Sequence, residues 1–297
     1  MPELPEVETI RRQLAPLVEG RTLARMEILD PRWSRPLPGE ELTAALVGRR
    51  IESLGRRGKY LLWSFQGDVH LAQHLRMTGV LLYEPDGEPA HTRVRMELRA
   101  PRGGRSRRLV ILDARRFGTG ELLLGSEAVE EFFGARLGLE PFDERFTAEH
   151  LRELARGRAT PIKALLLDQR KIAGVGNIYA DEALYRARIH PLRQAGKLSL
   201  AQYAALREGI IDALTAGIDA RGATIDDFRH PDGVSGSFQD QFLVHLREGE
   251  PCATCGTPIK KMVVGGRGTY VCETCQPPFR RRAARPAGRS RRRPAPR

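Results

Sequence analysis

All four cysteines of this chain of 297 residues fall in one pattern near its C-terminal end, Cys252-x2-Cys255-x16-Cys272-x2-Cys275. Two Cys-x2-Cys knuckles at this separation have zinc-ribbon spacing. Four thiolates make a closed tetrahedral site with no position open to a reactant, so the pattern predicts one structural Zn2+ and a short β-hairpin, and no organic cofactor. Two disulfides are the competing reading; a cytoplasmic setting argues against them. The intervening Lys260-Lys-Met-Val-Val-Gly-Gly-Arg-Gly-Thr-Tyr270 reads as a basic hairpin able to enter a DNA groove.

The rest of the chain divides by hydrophobic period. Residues 22–125 read as short strands broken by Gly, Pro and Asp, among them 59–65, 79–83, 93–98 and 107–112. Arg93–Leu98 alternates at period two, and Pro101–Ser106 has the composition of a hairpin loop, so a β-sandwich or barrel is expected. A linker-like stretch with Gly134, Gly138 and Pro141 follows. Helices come next: Thr147, Thr160-Pro161 and Asn177 are cap signals, and Ser199 with Gln202 forms a capping box before the stripe Tyr203, Leu206, Ile210 and Leu214. The fold class is therefore α+β, an N-terminal β-sandwich with a leading helix, then a helical domain and the zinc-ribbon hairpin.

The leading helix carries the chemistry. In Met1-Pro2-Glu3-Leu4-Pro5-Glu6-Val7-Glu8, trimming of Met1 would leave Pro2 as a secondary amine. An α-amino group titrates near ~8, so it is partly neutral and nucleophilic at physiological pH. Attack on a sugar carbon would give an iminium, with Glu3 placed to move protons. Val7, Ile10, Leu14 and Leu17 recur at helical spacing and would anchor the amine. Read alone, the stretch is more simply an amphipathic helix with a proline start.

Charge needs one correction. Of the net +12, nine charges come from arginines in residues 277–297, a tail of Pro, Ala, Gly and Arg that reads as a solvated, disordered extension. Nucleic-acid binding must then be argued from local clusters. Only six of 49 basic residues are lysines, Lys59 and Lys163 among them; each raises the question of proton transfer because guanidinium does not titrate usefully, although chance retention is the simpler explanation for any single one. No apolar run spans a membrane, and the acidic N-terminus lacks a signal region, so a cytoplasmic location is expected.

The opening octapeptide, Gln169-Arg-Lys-Ile-Ala-Gly-Val-Gly-Asn-Ile-Tyr-Ala-Asp-Glu-Ala-Leu184 and Arg267-Gly-Thr-Tyr-Val-Cys-Glu-Thr-Cys-Gln276 together resemble the formamidopyrimidine-DNA glycosylases, bacterial enzymes that excise oxidised purines. The resemblance spans residues 1–276. It implies a helix–two-turns–helix domain, Pro2 as nucleophile with Glu3 beside it, Lys59 in β-elimination and Arg267 as proton donor in δ-elimination. It further implies DNA contacts at His91, Arg158, Lys163 and Asn177. His74-Leu-Arg-Met-Thr-Gly79 and Asp113-Ala-Arg-Arg-Phe-Gly118 look like the loops that fill the gap left by a flipped base, with Met77 and Phe117 as wedges and Arg115 on the orphaned partner. Two departures stand out: Ala114 replaces the family's proline, and Val244-His-Leu-Arg247 replaces Val-Tyr-Gly-Arg.

The implied organisation is a catalytic sandwich (1–130), a linker (131–146), a helical DNA-binding domain (147–245) with a lesion loop (221–240), the zinc finger (246–276) and the tail (277–297). The implied partner is damaged duplex DNA, engaged by a monomer. Two alternatives stay open: an endonuclease VIII-like relative for oxidised pyrimidines, which Leu4 and the wedge loops disfavour, and a non-catalytic zinc-ribbon DNA-binding protein. A tautomerase using an N-terminal proline base is a third class, and the cysteine pattern does not suit it.

Overall fold

Helix α1 (Leu4–Val18) starts where Pro5 presets φ in the first turn, and Glu3 at its N-cap donates its N–H to Glu6 Oε2 at 2.8 Å. The computed structural model that gives this fold describes residues 2–101, 103–224 and 231–278. Residues 225–230 of the expected lesion loop and 279–297 of the tail lie outside the described residues. The apolar stripe of α1 is as read except at its end. Val18 is buried and Leu17 exposed, because successive steps of three, four and four residues follow the 3.6-residue turn.

Two four-stranded antiparallel sheets form the sandwich. One runs in the order β1 (Thr22–Ile28), β6 (Thr92–Arg99), β7 (Arg107–Asp113), β5 (Gly79–Tyr83). The other runs β2 (Ile51–Arg57), β3 (Tyr60–Phe65), β4 (Val69–His74), β8 (Thr119–Leu124). The expected strands appear within one residue, and β6 buries alternate residues. The chain crosses between sheets after β1, after β4 and after β7. The register pairs Gly79 with Asp113 and His74 with Thr119, so the last two crossings emerge side by side at one end.

Two helices were not legible. α2 (Gly39–Leu46) buries only Leu42 and Leu46, too short a stripe to register as periodic. α3 (Ser126–Gly134) occupies part of the stretch expected to be linker and runs across its 130/131 boundary. It buries Val129, Phe132 and Phe133 against Tyr60, Ala72 and Leu123 on the outer face of the second sheet.

The helical domain contains α4 (Ala148–Ala155), α5 (Ile162–Leu167), α6 (Asn177–Arg186) and α7 (Leu200–Asp219). Thr147 Oγ1 accepts from His150 N–H at 3.1 Å, and the Ser199/Gln202 box is closed in both directions. Two starts shift by one residue. Pro161, not Thr160, is the cap of α5, because the Thr160 carbonyl accepts from Ala195 N–H; Gly176, not Asn177, is the cap of α6. The finger strands β9 (Lys260–Val264) and β10 (Arg267–Val271) pair as the cysteine spacing demands.

What places the site is α1, which belongs to two cores. Leu4 is buried with α5, α6 and α7, whereas Val7, Ile10 and Leu14 are buried inside the sandwich. Gly174, at φ +89°, brings the turn before α6 so close that a Cβ there would lie 2.5 Å from Leu4 Cδ1. Its carbonyl accepts the Leu4 N–H at 3.1 Å. The N-terminal dipeptide therefore sits where the two domains meet.

Candidate active site

The first turn of α6 organises the site. Ile178 N–H donates to Glu3 Oε1 at 3.0 Å, so the carboxylate rests on the positive end of that helix. Gly176 leaves room for it: a Cβ there would lie 2.2 Å from the Glu3 carboxyl carbon. Glu3 is 2% exposed, and its Oε2 is buried without a partner among the described residues, an acceptor open to a further donor. Pro2, next to it, is buried.

Glu6 ties the same helix to the start of the 221–240 segment. Its Oε1 accepts from the Tyr179 hydroxyl at 2.7 Å and from Ala223 N–H at 2.8 Å. Burial, and then the charge of Glu3, push its carboxyl up from the ordinary range. Tyr179 in turn stacks on Phe238 with ring centroids 5.1 Å apart. Both ends of the 221–240 segment are thus fixed to α1 and α6.

Lys59 enters from the turn between β2 and β3, 5% exposed. Burial pulls its ammonium down, Glu3 and Glu6 pull it up, and Arg267 pulls it down again, so all four groups share one electrostatic neighbourhood. Its turn is clamped by the interdomain segment: Glu140 accepts from Arg56 at 3.0 and 2.8 Å and from Gly58 N–H at 2.7 Å.

Arg267 opens β10 with its side chain exposed. The next residue is held twice, its carbonyl accepting from Asn177 Nδ2 at 2.9 Å and from Lys163 Nζ at 3.1 Å. Glu3, Lys59, Lys163, Asn177 and Arg267 are thus brought together. Lys163, however, is wholly buried and paired with Asp181 at 2.7 Å, so its ammonium faces the protein interior. Asn177 likewise spends one amide hydrogen on the finger.

A second group forms at the sheet crossings. Asp113 accepts from the Thr78 hydroxyl, from Arg115 N–H at 3.2 Å and from Gly118 N–H at 2.7 Å, stapling both loops. Met77 and Phe117 stand 38% and 52% exposed at their tips, more than core packing allows, and the Arg115 guanidinium lies 5.2 Å from the Phe117 ring centre. His74 beneath them is held down to about 3 by burial and by Arg76 and Lys59; its neutral ring accepts the Arg76 N–H. His91, exposed at φ +65°, adjoins this group through its carbonyl, which accepts Asp113 N–H at 3.0 Å. Arg158 is exposed on the helical domain; none of its described contacts reaches the Glu3 cluster.

The four cysteine sulfurs lie within 4.8 Å of one another, with Cys252–Cys275 at 3.9 Å and Cys255–Cys272 at 3.4 Å. Disulfide sulfurs would be ~2 Å apart, whereas bonds of ~2.3 Å to a tetrahedral zinc separate ligands by nearly 4 Å. The donor set fits one structural Zn2+. The Tyr185 hydroxyl lies 3.1 Å from Cys252 Sγ and orients that ligand.

Sequence reasoning missed Glu6, Asp113, Glu140, Asp181, Glu182 and His245 as working groups. Asp181 and Glu182 are fully buried on α6, and Glu182 accepts the backbone N–H groups of Leu243, Val244 and His245. One signal was available: two adjacent acids flanked by Ile178, Tyr179, Ala180, Ala183, Leu184 and Tyr185 in the middle of a helix need buried partners.

Comparison with known proteins identifies the family of the three regions. Residues 1–120 match the family model "Formamidopyrimidine-DNA glycosylase N-terminal domain", 137–229 the H2TH domain of the same glycosylase, and 249–278 the "Zinc finger found in FPG and IleRS". Among curated relatives, the formamidopyrimidine-DNA glycosylase of Bacillus licheniformis is 43% identical over 93% of this chain and 99% of its own length. The crystal structure of the MutM (Fpg) protein from Thermus thermophilus is 44% identical, with TM-score 0.82 over 93% of this chain and 98% of that one. Lactococcus lactis Fpg bound to DNA containing an abasic site superposes at TM-score 0.85, with 35% identity, over 93% and 100%. With its sandwich, helical domain and finger all matched in order, the chain belongs to the formamidopyrimidine-DNA glycosylase family.

Proposed function

We propose that this chain is a bifunctional DNA glycosylase and abasic-site lyase of base excision repair, acting on oxidised purines in duplex DNA. The observation that carries the reading is the buried Glu3 carboxylate, anchored on α6 with one oxygen unpartnered among the described residues, directly beside Pro2. Once Met1 is removed, the Pro2 nitrogen attacks C1′ of the damaged nucleotide and the base departs with the bonding electrons. The Glu3 carboxylate takes the proton that the attacking nitrogen loses and passes it to the sugar-ring oxygen, so the ring opens and the resulting iminium acidifies C2′–H. Loss of that proton expels the 3′ phosphate, and a second elimination expels the 5′ phosphate. Lys59, its ammonium weakened by burial, serves the first elimination and Arg267 the second.

Met77, Phe117 and Arg115 would occupy the gap left by the extruded base, while His91, Arg158, Lys163 and Asn177 remain assigned to DNA on family resemblance alone. For Lys163 the buried pairing favours an indirect role. Zinc shapes the finger and takes no part in the reaction. The described thiols are unbridged, which suits action in the cytoplasm on chromosomal DNA. A second lesion class is favoured by one observation: the Lactococcus lactis relative has been solved as a mutant with Fapy-dG-containing DNA and as wild type with DNA containing an oxidised pyrimidine.

The test is borohydride trapping on duplex DNA with 8-oxoguanine opposite cytosine, using wild type beside a form that keeps one extra N-terminal residue. An adduct from wild type alone is expected. Adducts from both would move the nucleophile to another amine, Lys59 first. Failure of both, on this duplex and on a thymine-glycol duplex, would return the chain to the non-catalytic reading.

A further inference from the structure

A chain of buried polar groups connects the start of the finger to Arg267. The Lys163 ammonium has three N–H bonds and uses all three, on Asp181 Oδ1 at 2.7 Å, Thr269 Oγ1 at 2.8 Å and Gly268 O at 3.1 Å. The Thr269 hydroxyl, accepting from Lys163, turns its own hydrogen onto the Arg267 carbonyl at 3.0 Å. At the other end, Asp181 Oδ2 lies 2.8 Å from His245 Nδ1, and a carboxylate can only accept, so the imidazole carries its proton on Nδ1. Lys163, Asp181 and Thr269 are 0% exposed and His245 5%. The His245 backbone N–H is fixed by Glu182, and its ring packs edge-on against Phe242 and Tyr270 at 5.4 and 5.1 Å.

Burying four polar side chains is a poor way to gain stability, since apolar residues of like volume hold such a site at least as well. What the chain of bonds supplies is position. Three acceptors in succession along β10, the carbonyls of Arg267 and Gly268 and the hydroxyl of Thr269, are referred to α5 and α6. Asn177 at the start of α6 also donates to the Gly268 carbonyl, and the next residue, Ile178, holds Glu3.

We propose that His245 and Asp181 are positioning residues for Arg267: acting through Lys163 and Thr269, they set where the Arg267 side chain reaches relative to Glu3, and so govern the second elimination rather than base release. The inference rests on the assignment of Arg267 given above. Neither residue touches DNA in this account. His245 stands seven residues before the first cysteine of the finger, so its bond to Asp181 also aligns the finger with α6 before the zinc centre begins.

The test compares wild type, His245→Phe, His245→Gln and Arg267→Ala on a duplex with one abasic site. β- and δ-elimination products are resolved on a gel, alongside borohydride trapping and zinc content. His245→Phe keeps the ring volume and loses the donor. Its δ-to-β product ratio should fall about tenfold while trapping and zinc stay within twofold of wild type, and His245→Gln, whose amide can donate to Asp181, should recover most of the ratio. An unchanged ratio in His245→Phe, with δ-elimination lost in Arg267→Ala, overturns the positioning role alone. Persistence of δ-elimination in Arg267→Ala overturns the assignment on which it rests. A parallel fall of every step, or loss of zinc, would make the bonds merely structural and also overturn it.

Discussion

Gly176→Ala separates catalysis from folding more cleanly than any change to the reacting groups. The glycine backbone has φ −125°, which alanine adopts without strain, so only the added methyl matters. That methyl would lie 2.2 Å from the Glu3 carboxyl carbon and 2.5 Å from each of its oxygens, where ordinary contact begins at 3.4 Å. The carboxylate must therefore move by roughly 1 Å, a displacement that can cost on the order of 10²-fold in rate when the group is part of the reacting constellation. Because the obstacle is the far end of a side chain, the fold can yield there. The stability cost is the bond from Ile178, roughly 1.5–3 kcal/mol for a charged acceptor. The assay is single-turnover release of 8-oxoguanine from a duplex, with thermal melting in parallel. Gly134→Ala, where a Cβ meets nothing within 4 Å, is the control. Release within about threefold of wild type, in a protein melting close to it, would refute the claim that α6 positions Glu3 for the chemistry.

Three further outcomes are expected. Met77→Ala and Phe117→Ala should each slow excision from a matched duplex by about ten- to thirtyfold, yet leave trapping on a preformed abasic site nearly unchanged, because extruding the base costs a few kcal/mol that an abasic site does not demand. Equal losses on both substrates would remove the wedge assignment. Chelation should release one zinc per chain and weaken duplex binding at least about tenfold with most far-UV circular dichroism retained, since neither large core contains a cysteine. Burial opposes ionisation of Glu8, but hydrogen bonds from Arg11, Arg12 and Arg56 prevail and hold it down to about 2 from 4.5. Its contribution to stability is then complete above pH 4.5 and lost as pH falls toward 2, so the melting-temperature gap between wild type and Glu8→Gln should close over that interval. A gap independent of pH would dismiss the ion pairs.

What could be read from the chain was local. The Ser199 box, the alternation of β6 and the proline start of α1 each depend on residues a few positions apart, the zinc ligands on two such pairs joined by one hairpin, and each appears in place. The unread part depends on partners far away in sequence. Asp181 is ordinary until Lys163 and His245 close around it, and Glu140 looks like linker until Arg56 reaches it. Lys163 marks the boundary between the two. Its rarity in an arginine-biased chain drew attention to it, but only the packing of α5 against α6 and β10 reveals that its charge is spent inside the protein. Short helices were lost for a related reason: two buried leucines in α2 make a contact, not a period.

Because Leu4 is embedded in one core and Val7, Ile10 and Leu14 in the other, α1 makes the two domains melt together. Loosening either one strips apolar surface of the same helix and draws down the stability of its neighbour, so the unfolding units of this protein cannot coincide with its domains. A molecule open at either end has also lost the seat of its N-terminus. Partly unfolded copies, the species that heat or a damaging mutation would accumulate, are for that reason unable to nick DNA.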